Sequence, residues 1–186
     1  DCIRLIFIKF KIDIKSRSKL TKPEYEASKT TDLSTRLQQW LTDREKTIVS
    51  VGRYTEQKNQ KLLLDGFKLF HDKHPSYRLV FYGTDYGLKD KLISYAKQLD
   101  IHKYTVFHDA VTNIHEEIRN SSVFVLPSNY EGMPNALAEA VALGIPCIAT
   151  NCPTGGCAKI LDGGKRGILI TCDNINETLN ALKLLI

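Results

Sequence analysis

The chain has 186 residues, 42% hydrophobic and 25% charged, with a net charge of +5. That suits one ordinary domain of about 100–150 residues plus flanking chain, and it is too apolar for a disordered segment. No apolar run reaches the ~18 residues that a helical membrane crossing needs.

The position of the charge is informative. Residues 1–22 hold Arg4, Lys9, Lys11, Lys15, Arg17, Lys19 and Lys22 against Asp1 and Asp13, which accounts for the whole excess, so the remainder is neutral overall. A nucleic-acid binder carries its basic face across the folded domain, with aromatics interleaved for stacking, so this pattern argues against nucleic acid. Two readings of the basic segment stand: a solvated linker, or a stretch drawn peripherally to an anionic membrane surface. The five cysteines (Cys2, Cys147, Cys152, Cys157 and Cys172) are odd in number and lack the spacing of a zinc knuckle or a C-x-x-C pair. Reduced thiols in a cytoplasmic protein are the expectation. The chain opens on Asp1 and stops at Ile186 inside an apolar run, so a piece of a longer protein is expected.

In chain order, residues 1–45 are irregular. Ile3–Phe10 alternates weakly, polar residues follow, and Ser34–Arg44 could place Leu37, Trp40 and Leu41 on one side of a short helix; the segment is read as interdomain connector. From Lys46 the pattern becomes a regular alternation of strand and helix. Strands are expected at Thr47–Val51, Arg78–Tyr82, Thr105–Phe107, Val123–Leu126 and Ile145–Ala149. Helices are expected from Asn59, as N-cap, to about Lys73, over Leu88–Leu99 and Ile114–Arg119, from Pro134 to a C′ glycine at Gly144, and from about Asn176. This predicts an α/β fold over residues 46–186, a Rossmann-like parallel sheet flanked by helices. Ligands bind outside the carboxyl ends of such strands, so the loops after Val51, Tyr82, Phe107 and Leu126 should hold the site.

The strongest chemical signal is Glu131-Gly-Met-Pro-Asn-Ala-Leu-Ala-Glu139. One carboxylate lies in the loop after a strand and the other two turns into the helix that the loop begins. Between them Gly132, Met133, Pro134 and Asn135 supply backbone groups at a helix N-terminus, a natural anion site. Glu131 is expected at the mouth, accepting hydrogen bonds from sugar hydroxyls. Glu139, on one face with Asn135, can take both hydroxyls of a ribose.

The string Ser128-Asn-Tyr-Glu-Gly-Met-Pro-Asn-Ala-Leu-Ala-Glu-Ala140 resembles the E-x7-E motif of the retaining GT-B glycosyltransferases of family 4, the group 1 transferases, and especially the bacterial members that build capsules and lipid-linked glycans. The resemblance covers roughly residues 46–170, with a weaker echo of the family's interdomain connector in Lys11-Ile-Asp-Ile14. It implies the C-terminal, donor-binding half of a two-domain enzyme. In it, Arg53 and Lys58, in the loop after Thr47–Val51, would hold the donor diphosphate and neutralise charge on the leaving group, the task Mg²⁺ performs elsewhere. No D-x-D triplet occurs, so no metal and no other cofactor is expected. Gly83 corresponds to the glycine of the donor loop, although Gly83-Thr-Asp-Tyr-Gly87 departs from the usual glycine-acid-glycine-proline form. Phe107-His-Asp-Ala110 corresponds to the segment lying against the nucleobase.

The resemblance thus implies transfer of a hexose or N-acetylhexosamine from a UDP-sugar, with GDP as the alternative nucleotide, to a glycan or lipid-linked acceptor held by an N-terminal domain. Glu131 would be the catalytic carboxylate that positions the sugar, and this domain alone would be inactive. Two other readings stay open: a nucleotide-sugar epimerase of the same architecture and a non-catalytic nucleotide-binding module. His71, His74 and His108 are read as structural. The absence of a G-x-S-x-G elbow, a P-loop and a G-x-G-x-x-G disfavours hydrolase, kinase and dinucleotide chemistry.

Overall fold

Short runs of β-branched and aromatic residues bounded by glycine or polar turns make strands here, and each helix between them carries one apolar stripe. The structure, a computed structural model, describes residues 46–186. The connector, its Ser34–Arg44 helix and the Lys11–Ile14 echo lie outside the described residues. The strands are β1 (Thr47–Val51), β2 (Arg78–Tyr82), β3 (Thr105–His108), β4 (Val123–Leu126), β5 (Cys147–Thr150) and β6 (Ile168–Ile170). The helices are α1 (Gln60–His71), α2 (Lys89–Gln98), α3 (Ile114–Ile118), α4 (Asn135–Ala142), α5 (Gly156–Ile160) and α6 (Ile175–Leu185).

All strand pairings are parallel, in the order β3-β2-β1-β4-β5-β6. Alternate side chains leave opposite faces of each strand, and both faces are covered. Ile48, Leu79, Phe81, Val123, Val125 and Ile148 meet Leu63, Leu64, Phe67 and Phe70 of α1, Leu92 and Ala96 of α2, and Ala181 and Leu182 of α6. Val49, Val80, Tyr82, Phe124, Leu126, Cys147 and Ala149 meet Ile118 of α3, Leu137 and Ala140 of α4, and Ile160 of α5. The expected Rossmann-like fold is observed.

Three details differ from expectation. The last core strand starts at Cys147 rather than Ile145, because Pro146 has no N–H to give a ladder; its carbonyl instead accepts from Phe124 N at 2.9 Å. The segment after β5, where no element was expected, contains α5, and β6 follows it. Asn59 does stand at the start of α1, but its side chain does not cap the helix. It sits at φ 44° and makes no capping bond; its Nδ2 donates to Asn129 Oδ1 at 2.9 Å and Asp173 Oδ1 at 2.6 Å.

The chain reverses direction across the sheet between β1 and β4. In an open parallel sheet that reversal opens a crevice at the carboxyl ends of the two strands. The loops entering it run from β1 to α1 and from β4 to α4, and they carry the cations and the glutamate motif.

Candidate donor site

The two loops are laced together before any ligand is considered. Asn129 N–H donates to Gln57 O at 2.9 Å and Asn129 Nδ2 to Glu56 O at 3.2 Å, while Gln57 Nε2 donates to Tyr130 O at 2.9 Å. The 3-10 turn Glu56–Lys58 then presents Lys58 inward, its stem lying over Gly52, where an added Cβ would come 3.1 Å from Lys58 Cδ.

Lys58 Nζ pairs with Glu131 Oε1, and their side chains are only 14% and 7% exposed. The Ser128 hydroxyl donates to the same oxygen at 2.7 Å. Glu131 is buried, not exposed at the mouth as its loop position suggested. A carboxylate can be buried at such a place because a cation and a hydroxyl meet it there. Its backbone is held too: Glu131 N–H donates to Thr154 Oγ1 at 3.2 Å, and the Thr154 hydroxyl donates to Glu131 O at 2.5 Å. At the next residue Gly132 opens onto free space, with nothing within 4 Å of where a Cβ would stand. Gly132, Met133 and Asn135 are exposed. Pro134 precedes α4, and no side chain caps that helix. The first-turn amides of α4 therefore face the opening beside Gly132, as donors with positive partial charge.

Arg53 does not join Lys58 on Glu131. It is exposed, its guanidinium 5.5 Å from the centre of the Tyr86 ring and its Nη2 donating to Gln57 Oε1 at 3.4 Å. Since Gln57 also holds Tyr130, Arg53 sits on the same laced rim, one residue removed from the Lys58 pair. Glu139, in the second turn of α4, stands with Oε2 3.4 Å from His115 Nε2 of α3. Asn135, one turn earlier on that helix, remains exposed.

Gly83 is buried where β2 leaves the sheet. An added Cβ would lie 1.9 Å from Gly52 O, so only glycine lets the β1 and β2 loops approach this closely. Asp85 then accepts from the amides of Gly87, Leu88 and Lys89, starting α2. Those bonds, with the Lys89 amide foremost, hold its carboxyl below the usual range. Tyr54 ties the third loop in, its hydroxyl donating to His108 O at 2.6 Å and Phe81 O at 3.1 Å. Burial pushes its phenol far above its ordinary value, so it stays a donor. Lys89 Nζ, 2.7 Å from Asp109 Oδ1, fixes the loop after β3 from outside and lowers the Asp109 carboxyl.

The crevice thus joins an ion pair, a helix N-terminus and an arginine at one sheet reversal. The family model described as glycosyl transferases group 1 matches residues 34–186. The chain belongs to that family. Among group 1 relatives, an uncharacterised glycosyltransferase of Methanocaldococcus jannaschii is 32% identical over 146 residues, covering 76% of this chain and 36% of its own length. The Escherichia coli UDP-Gal:α-D-GlcNAc-diphosphoundecaprenol α-1,3-galactosyltransferase is 31% identical over 134 residues, covering 71% and 34%. The chain therefore spans about a third of the length of these relatives. Staphylococcus aureus TarM, solved in a complex that includes UDP, superposes with a TM-score of 0.71 at 22% identity over 76% of this chain and 28% of its own. That likeness establishes the fold, the Rossmann-like half of a GT-B glycosyltransferase.

Of the residues that a group 1 reading nominates, the structure brings Lys58, Glu131 and the Gly132–Asn135 turn together at one opening. Arg53 lies on the rim beside it, Glu139 reaches α3, and Gly83 serves the approach of two loops. Sequence reading missed Ser128, Thr154, Gln57, Tyr54 and His115. Ser128, three residues before Glu131 in one loop, was the detectable one; nothing in the sequence ties Thr154 to a residue 23 positions earlier. Cys152 and Cys157 lie behind the site, both buried and free, their sulfurs 3.9 Å apart. Burial raises the thiol of Cys147 to about 12 and that of Cys157 further, which keeps both as inert thiols. No helix among the described residues is long and apolar enough to cross a membrane.

Proposed function

We propose that this domain binds the donor of a retaining glycosyltransferase, a UDP-sugar whose hexose or N-acetylhexosamine passes to a glycan or lipid-linked acceptor in cell-surface polysaccharide synthesis. The reading places it in the cytoplasm, peripheral to the membrane, with the acceptor held by protein beyond this domain. What carries it is the pairing of Lys58 with Glu131 beside the open N-terminus of α4. Support for UDP comes from the E. coli relative, named for a UDP-galactose donor, and from the fold neighbour solved with UDP.

The diphosphate would lie across Gly132–Asn135, where uncommitted amides and the helix dipole favour anions. Lys58 and Arg53 would take up the charge that develops on the leaving UDP, which needs no divalent cation. Lys58 and Ser128 both bind Oε1 of Glu131, so Oε2 keeps its lone pairs for a sugar hydroxyl. Glu139 would receive the ribose hydroxyls, steadied by His115. Attack from the face that the diphosphate leaves, through a short-lived oxocarbenium-like ion pair, would retain configuration without a covalent protein nucleophile.

Calorimetry with UDP, GDP, ADP and dTDP, in EDTA throughout, tests the reading. UDP should bind best, and Arg53→Ala should weaken UDP by roughly tenfold or more while leaving uridine nearly unchanged, the worth of one charge-assisted contact. Equal losses for uridine and UDP would remove Arg53 from the diphosphate, and no binding of any nucleotide would remove the donor site.

A further inference from the structure

We propose that Thr154 is a positioning residue for Glu131, so that the loop after β5 sets the sugar half of the donor pocket while leaving the nucleotide half alone. The proposal rests on reading Glu131 as the group that meets the sugar.

The geometry is unusual in being reciprocal. One hydroxyl accepts from the Glu131 amide at 3.2 Å and donates to the Glu131 carbonyl at 2.5 Å. A single side-chain oxygen therefore holds both polar backbone atoms of one residue, tying the peptide planes on either side of the Glu131 Cα. No helix or strand does this for Glu131, which lies in the irregular stretch between β4 and α4. The carboxylate is held from the other end by Lys58 and Ser128. With the backbone clamped and Oε1 occupied, Oε2 has one direction left to it, and a hydroxyl on a bound sugar meets a preset acceptor.

A second contact shows that this brace is tight. Gly156, at the start of α5, packs so close under the same turn that an added Cβ would come 2.0 Å from Gly132 O and 2.8 Å from Glu131 O. The segment Thr154–Gly156 thus supports Glu131 by a hydroxyl and Gly132 by close packing. Strand β5 joins in, since the Thr150 hydroxyl donates to Ser128 O. Loss of the Thr154 bonds would let the Glu131 peptide turn. The Lys58 turn and Arg53, anchored through Gln57 and Asn129, would stay in place.

Thr154 is itself exposed, so replacing it opens no hole in the core. Thr154→Val keeps the shape and removes the hydroxyl, and Thr154→Ser restores the hydroxyl without the methyl. In the full 186-residue chain, affinities for UDP and for UDP-glucose, UDP-galactose and UDP-N-acetylglucosamine would be measured beside amide hydrogen exchange. Thr154→Val should weaken the best-bound UDP-sugar by roughly tenfold with UDP changed less than about twofold, and Thr154→Ser should recover most of the loss. The Glu131 amide should exchange faster in Thr154→Val alone, with strand amides unchanged. Equal loss of UDP and UDP-sugar, failure of serine to rescue, or unchanged exchange at Glu131 would each overturn the proposal. If the wild type binds no nucleotide at all, the donor reading fails, and with it the role of Thr154 in sugar placement; the exchange arm would then still show whether Thr154 clamps the turn.

Discussion

Lys58 and Glu131 depend on each other more than either depends on solvent. Both side chains are largely withdrawn from water, and removing one partner of such a pair leaves a buried charge with its desolvation unrepaid. Lys58→Met should therefore cost about 3–5 kcal/mol in urea unfolding, and Glu131→Gln a smaller amount, because the amide can still accept from Ser128. The double variant should cost less than the two single losses combined, the sign of direct coupling. At Glu139 the expectation separates ligand from fold. Glu139→Gln should weaken UDP while leaving unfolding nearly unchanged, since the wild-type side chain is a quarter exposed and fills no core position. Wild-type protein that bound 2′-deoxy-UDP as well as UDP would sink the ribose assignment. The chemistry of single residues was partly legible: a helix N-terminus flanked by glutamates reads from the string itself. That Glu131 would be buried was not legible, because burial depends on Lys58, 73 positions earlier, and only the strand order brings the two together.

Among the elements, strands and long helices were readable because period-2 and period-3.6 apolar patterns persist through them. Helix α5 and strand β6, five and three residues long, are too short for either period to register. Their placement matters all the same, as Gly156 shows. Gly156→Ala or Gly83→Ala would bring a methyl to 2.0 or 1.9 Å from a backbone oxygen, and each should cost about 1–3 kcal/mol or more by urea denaturation. Gly132→Ala, which meets open space, should cost much less and serves as the control. At the far end of α1, burial first and the Arg78 guanidinium second lower the pKa of His71. The unfolded chain takes up a proton at His71 near pH 6.5, which the folded chain resists. Stability from this group is full above that pH and falls as pH drops below it. Unfolding midpoints at pH 7.5 and 5.5 should differ in that direction, and His71→Phe, which keeps a ring against Tyr104, should flatten the difference.

At the scale of the molecule, a parallel sheet read from alternating strands and helices was the most secure expectation, since only crossover helices join parallel neighbours. The order of the strands was not readable, because nothing in β1 marks β4 rather than β3 as its second partner. The site is an outcome of that order. Among the described residues a single sheet forms the crevice, with no facing wall to exclude water or orient an acceptor. This chain by itself should bind UDP and yield no acceptor-dependent product when incubated with radiolabelled UDP-sugars and lipid or oligosaccharide acceptors. Sustained product formation would show that the wall is dispensable.

The β1–β4 seam also has a history as the chain is made. Lys58 leaves the ribosome 73 residues ahead of Glu131, about 4–15 s at ordinary synthesis rates of roughly 5–20 residues per second. Until β4 emerges, β1 has only β2 to pair with, and its other flank lies bare. Ile48 and Val49, which later register against Val123 and Phe124, form an unguarded edge. Whatever shields nascent chains from sticking to one another has its work to do there, and the appearance of nucleotide binding would date the moment when the edge closes.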